Sequence, residues 1–251
     1  MLMHSILIIG QSNMAGRGFV NEVEPIENDR IQVLRNGRWW PMYTPVNPDR
    51  VTAGVSLVES FADLYSKDHN VDVGIIPCAD GGTNIDQWQV GGLLFDHACY
   101  MAELASRTST IAAVLWHQGE SDCYNERYPL YEEKVSKVLR AFRENLNLYD
   151  VPFLVGGLGD YLEFLQRSDE FKNYIHINSA LMRVAQKDKM MGYVTAKGLT
   201  SNPDMLHFSS KSLREFGKRY YEEFLKLEDK NKVFIEKSTP DNAIRTGLES
   251  F

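Results

Sequence analysis

The sequence predicts an α/β fold of three layers, with a five-stranded parallel sheet between helices. Five short, near-continuous apolar runs bounded by Gly or Pro recur along the 251 residues, and stripes of helical period separate them. Near-continuous apolarity marks strands covered on both faces. Strands alternating with helices imply right-handed crossovers into a parallel sheet, whose ligands bind at the carboxyl ends of the strands. The length suits one α/β domain with one large core.

The first run, "SILIIG" at 5–10, breaks off against the small and polar "QSNMAGRG". A long excursion from about 19 to 53 then interrupts the alternation. Inside it, "IQVLRNGRWWPM" places Asn36-Gly37 between short apolar stretches, a hairpin signal. Leu57, Phe61 and Tyr65 recur at i, i+4 and i+8 and predict a helix. The second run is "VGIIPC" (73–78) and the third "AAVLWHQG" (112–119). Tyr131, Val135, Val138 and Phe142 form the next helical stripe, followed by "PFLVGGLG" (152–159). Ile177, Leu181 and Val184 precede the last run, "MGYVTAKG" (191–198). Leu213, Phe216, Tyr220, Phe224 and Leu227 complete the pattern, and "SLRE" at Ser212 to Glu215 fits a capping box. The domain is expected to span 1–228, with the charged, weakly periodic 229–251 as an arm or poorly ordered end.

A net charge of -7 and a pI near 5.4 give no support to a nucleic-acid partner, which needs concentrated Lys and Arg. Cys78, Cys99 and Cys123 show no CxxC spacing and leave an odd thiol, so neither a disulfide framework nor a zinc site is indicated. No apolar run approaches a membrane span, and no basic segment precedes the first strand. The expectation is a cytoplasmic protein with no membrane partner.

Four groups of residues can carry chemistry. Ser12 lies just past the first strand, where a tight turn presents a hydroxyl; the plainer alternative is that Ser12 or Asn13 caps a helix. In "SNPDMLHFSS", Asp204 precedes His207 by three residues. A hydroxyl nucleophile needs an imidazole to take its proton, and the imidazole needs an acceptor that holds its tautomer; the plainer alternative is an ordinary turn after Pro203. Gly81 and Gly82, after the second strand, allow backbone amides to approach a ligand, as an oxyanion hole requires, or simply make a turn. "WHQGESD" closes the third strand with His117, Gln118, Glu120, Ser121 and Asp122. There a Gln amide is a donor for a developing oxyanion, and His117, Glu120 and Asp122 form a rival metal site without a recognised ligand spacing. All four groups fall at carboxyl ends of strands or just before a helix, where one crevice gathers them.

In this order, "GQSNMAGRG", "GGTNI", "WHQGESD" and "DMLHFS" resemble the blocks of SGNH-type hydrolases, in the sialate O-acetylesterase and acetylxylan esterase branch (carbohydrate esterase family six). The resemblance covers about 10–210. It implies a flavodoxin-like sandwich and a Ser-His-Asp esterase that removes acetyl groups from carbohydrate hydroxyls, without metal or cofactor. Carried over, Ser12 is the nucleophile, His207 the general base and Asp204 its orienting partner. The amides of Ser12 and of Gly82 (or Gly81), with the Gln118 side chain, form the oxyanion hole, and Gln11, Asn13, Gly81 and Glu120 support the site. The departure is "HQGE", where the wider superfamily offers an Asn after a Gly. Trp39, Trp40 and Trp88 are candidate platforms for a sugar ring, or core packing. The expected partner is a small acetylated carbohydrate, either sialic acid or xylo-oligosaccharide; the oligomeric state is open. A general short-chain esterase or thioesterase is the alternative, and a sugar-binding protein without catalysis a third.

Overall fold

Strand β1 (Met3–Gly10) lies at the middle of the sheet, with Ile6, Leu7, Ile8 and Ile9 wholly buried. In the computed structural model, which describes residues 3–124, 126–165 and 169–228, β1 pairs in parallel with β4 (Asp72–Pro77) on one side and β5 (Thr110–His117) on the other. Beyond β5 follow β6 (Phe153–Gly156) and β7 (Met191–Val194), both parallel. These five strands are the five apolar runs of the sequence. The segment 229–251 lies outside the described residues.

The sheet nevertheless has seven strands, not five, in the order β3-β2-β4-β1-β5-β6-β7. The two extra strands come from the excursion. β2 (Ile31–Arg35) and β3 (Arg38–Pro41) pair antiparallel across Asn36 and Gly37, whose φ values of 50° and 73° suit the tight two-residue hairpin turn. β2 then pairs in parallel with β4, setting Ile31 beside Val73 and Val33 beside Ile75. Without it, apolar β4 would be an unpaired edge, so the hairpin covers a hazard as well as extending the sheet.

α2 (Leu57–His69), α4 (Tyr128–Asn145), α5 (Tyr174–Gln186) and α6 (Ser210–Leu227) match the four helical stripes. Two details differ from the sequence reading. The cap of α6 is Ser209, whose hydroxyl accepts from the Ser212 amide, so Ser212 lies inside the helix rather than at a capping box. An additional helix, α3 (Leu93–Ala105), buries Phe95, Ala98, Ala102 and Ala105, a stripe too poor in large side chains to stand out. By contrast each buried aromatic of α6, such as Phe216 or Phe224, contributes roughly 2–3 kcal/mol.

The route from β1 to β4 steps one way across the sheet through α2, and the routes onward through α3, α4 and α5 step the other way. Right-handed crossovers therefore set α2 on one face, where α6 packs against it, and α3 to α5 on the other. The direction changes at β1. A crevice opens there, beyond the carboxyl ends of β4, β1 and β5.

Candidate active site

Gly10 ends β1 with φ 130°, and a Cβ there would lie 2.0 Å from the His117 carbonyl oxygen. Only glycine lets β1 run this close to β5 and turn. The Gln11 amide then donates to the same carbonyl at 2.8 Å, and Ser12 opens the single helical turn α1 (Ser12–Ala15). Gln11 holds the cap position and no side chain caps the turn, so the Ser12 hydroxyl has no capping duty. Its Oγ lies 3.0 Å from His207 Nε2 instead.

The loop before α6 carries the other two residues. Asp204 Oδ1 accepts the backbone N–H groups of Leu206 and His207, both at 2.9 Å, while Oδ2 sits 2.6 Å from His207 Nδ1. The carboxylate thus favours the Nδ1–H tautomer and leaves Nε2 to accept from Ser12. Burial would raise the Asp204 carboxyl, but hydrogen bonds from the His207 backbone and ring and the Leu206 amide outweigh it and hold the group below its ordinary value. Asn13 ties this loop to the nucleophile turn: its Oδ1 accepts from Phe208 N at 3.0 Å, and its Nδ2 donates to the Leu206 carbonyl at 3.3 Å and to Glu120 Oε1 at 2.5 Å. Asn202 adds a bond from Nδ2 to the Arg17 carbonyl, 2.9 Å.

After β4, the two glycines part company. The Gly81 amide donates to Asp49 Oδ2 at 2.8 Å. Gly82 has φ 78° and faces open space, and among the described residues neither its amide nor that of Ser12 donates a hydrogen bond. The excursion braces this loop. Asp49 takes a bidentate pair from buried Arg17 (3.0 and 2.7 Å), and Asn47 exchanges two hydrogen bonds with the Ala79 backbone. Sequence reasoning missed Arg17, Asn47 and Asp49, because nothing local marks residues whose partners lie more than 30 positions away.

Gln118 departs from expectation. It is wholly buried, and Nε2 donates to Thr83 O at 3.1 Å, Gln11 Oε1 at 3.2 Å and Asp122 Oδ2 at 2.5 Å. Three acceptors around one nitrogen also define which end of the amide is which. Its donors are committed to the protein interior, so Gln118 does not supply the oxyanion donor expected of it. We predict that Gln118→Ala acts on stability, lowering it by about 2–4 kcal/mol through lost packing and buried acceptors left unpaired. Chemical denaturation reads this directly; a variant as stable as wild type would show that the three bonds are worth nothing.

Asp122 accepts from Gln118 and from the Ile85 amide at 2.9 Å, yet burial outweighs both bonds and pushes its carboxyl up to about 6. An acid whose folded value lies above its unfolded one stabilises the fold when protonated; the contribution is full below the unfolded value and is lost as pH rises through the folded one. Asp122→Asn keeps an acceptor for both donors and removes the titration. The melting temperature of the variant relative to wild type should therefore climb between about pH 4 and pH 6, by the equivalent of roughly 1–3 kcal/mol. A difference that does not change with pH would contradict this account.

A cleft of about 560 Å³ opens over these residues, within the size range of small-molecule sites. Gln11, Ser12, Gly82, Glu120 and His207 line it, with Tyr124 and Phe171 as its aromatic walls. The tryptophans are elsewhere. Trp88 is buried edge-on against Trp116, Trp39 lies over Gly74, and Trp40 stands half-exposed on the edge strand β3. A second hollow, about 440 Å³ between the excursion and Arg214, contains none of the candidate residues. His117, Glu120 and Asp122 do not form the rival metal site: among the described residues no group of three or more His, Cys, Asp or Glu is arranged to hold an ion. Asp122 turns to Gln118 and Ile85, while His117 Nε2 meets the Gly157 carbonyl at 3.2 Å.

A flavodoxin-like sandwich with its site at this switch point is the architecture of SGNH-type hydrolases. Within that class, the chain belongs to the family described as carbohydrate esterase, sialic acid-specific acetylesterase, whose model matches residues 3–226. It is thus a carboxylic ester hydrolase of the carbohydrate O-acetylesterase kind. A probable carbohydrate esterase from Arabidopsis thaliana is 26% identical over 234 residues, 84% of this chain and 86% of that protein. Among solved structures, an Arabidopsis thaliana protein superposes with a TM-score of 0.78 at 24% identity, covering 89% of this chain and 98% of that one. NanS follows at 0.71 and 19% identity, covering 90% and 97%. At these identities the structures show a shared fold. No helix among the described residues is long and apolar enough to cross a membrane.

Proposed function

We propose that Ser12, His207 and Asp204 are the catalytic triad with which this chain removes acetyl groups from sugar hydroxyls, and that it does so in the cytoplasm. The observation that carries the reading is the unbroken line from Ser12 Oγ to His207 Nε2 (3.0 Å) and from His207 Nδ1 to Asp204 Oδ2 (2.6 Å), at the wall of a cleft beside two unused amides. Neutral His207 takes the Ser12 proton as Oγ attacks the acetyl carbonyl. The negative charge on the carbonyl oxygen is met by the amides of Ser12 and Gly82, donors already in place. Collapse breaks the bond to the sugar oxygen, which leaves with the proton from His207. Water, deprotonated by His207, then splits the acetyl-Ser12 ester and frees acetate. Asp204 holds the ring throughout and stabilises its cation.

Gly82 is preferred over Gly81 because the Gly81 amide is spent on Asp49. Three free cysteines, two of them buried, support a reducing compartment. The test is acetate release from O-acetylated sialic acids, which the family description names, alongside acetylated xylo-oligosaccharides and a p-nitrophenyl ester series of rising acyl length. Release from at least one acetylated sugar, with rates falling beyond acetyl, is expected. A preference for longer acyl chains or for thioesters, with no acetate from any sugar, would replace this reading by the general esterase.

A further inference from the structure

We propose that Arg50 selects the sugar, and that the sugar it selects carries a carboxylate. This rests on the acetylesterase reading above and narrows its substrate to an O-acetylated sugar acid. The two sides of the cleft differ in charge. Toward β4 stand Arg17, Arg50 and Gly82, while Tyr124, Glu170 and Phe171 come from the loops after β5 and β6. Arg17 is closed to a ligand, since its side chain is buried and forks onto Asp49. Arg50 is open: it comes from the excursion, lines the cleft and keeps half of its side chain, 50%, exposed.

Exposure has not left it loose. Nη1 donates to the Asp49 carbonyl at 2.8 Å and lies 2.7 Å from Asp80 Oδ1, and Nη2 donates to the Gly81 carbonyl at 3.0 Å. Among the described residues Nε has no acceptor, and Nη2 has used one of its two N–H bonds. A planar guanidinium with donors left on two nitrogens suits a carboxylate, whose two oxygens accept from one fork. Binding usually costs the entropy of ordering a long side chain; here the three partners have already ordered it. Asp80 does not use up the charge, because a solvent-exposed ion pair is weak and this one engages Nη1 alone. The place also fits. By holding the Gly81 carbonyl, Arg50 is fixed one residue from Gly82, on the same cleft as Ser12, so one sugar can present its acetyl group to Ser12 and its carboxylate to Arg50. A neutral sugar would only exchange water for hydroxyls there, which gains little.

The test compares acetate release from an O-acetylated sialic acid and from its C1 methyl ester, which blocks the charge and keeps the ring. Wild type should show a KM about 10–30-fold lower for the acid with kcat within about twofold, because the contact is the same in the ground and transition states. Arg50→Met keeps the apolar stem without the fork and should bring the two KM values within about twofold of each other. A salt series needs no variant: raising NaCl from about 0.05 M to about 0.5 M should raise the wild-type KM for the acid several-fold and leave that for the methyl ester unchanged. A wild type with no preference for the acid, or an Arg50→Met variant that retains the preference, overturns the proposal. So does acetate released from neutral xylo-oligosaccharides alone, a result that leaves the esterase standing. Wild-type protein that hydrolyses no acetyl ester, p-nitrophenyl acetate included, overturns the esterase reading itself, and that outcome is distinct from an active enzyme indifferent to the carboxylate.

Discussion

Ser12→Ala is expected to lower kcat for acetyl esters by about 10⁴–10⁶-fold, the cost of removing a nucleophile from a working triad. The fold should be untouched. The Ser12 hydroxyl caps no helix and has His207 Nε2 as its partner, so its removal costs about 1 kcal/mol at most. Nor does the space it leaves lie in the core, since Ser12 borders the cleft. Steady-state kinetics and a thermal melt on the same preparation separate the outcomes. Near-wild-type activity would remove Ser12 from the chemistry; a large drop in melting temperature would show that the hydroxyl holds the turn together.

Asp204→Asn should be almost as damaging to rate, lowering kcat by about 10³–10⁴-fold with KM little changed. The substitution is nearly isosteric. Its oxygen still accepts from the Leu206 and His207 amides, so the loop keeps its shape. What changes is the atom facing His207 Nδ1: an NH₂ donor now meets a ring nitrogen that had been a donor. The imidazole responds by moving its proton to Nε2, where it points at Ser12 and can no longer accept. Asp204 is about half exposed, at 48%, and this exposure gives the prediction its edge. If water substitutes for the carboxylate, the loss will be tenfold or less, and the ring must then be held chiefly by its own backbone clasp.

The parts of this molecule that could be read in one dimension are those whose cause is local. β1, β4, β5, β6 and β7 announce themselves because strands covered on both faces need unbroken apolar runs. The pairing of Asp204 with His207 is visible because a spacing of three lets one carboxylate cap the backbone and hold the ring within a single loop. α3 passed unseen since its buried face is mostly alanine, too small to weight a periodic pattern.

What needed the folded chain was direction and partnership. The Asn36-Gly37 hairpin is evident in the sequence, but its place beside β4 depends on contacts between residues 31–33 and 73–75, which no local propensity encodes. A glutamine at 118 looks like a donor for an oxyanion. Only tertiary packing spends that amide on Thr83, Gln11 and Asp122. Likewise Gly81 and Gly82 are equivalent on paper until Asp49, held by Arg17, occupies one amide and not the other. The physical reason is common to all three cases. Residue types set which hydrogen bonds a side chain is able to make, but a buried polar group must be satisfied by whatever the fold brings within about 3 Å, and that neighbour is chosen by the whole chain.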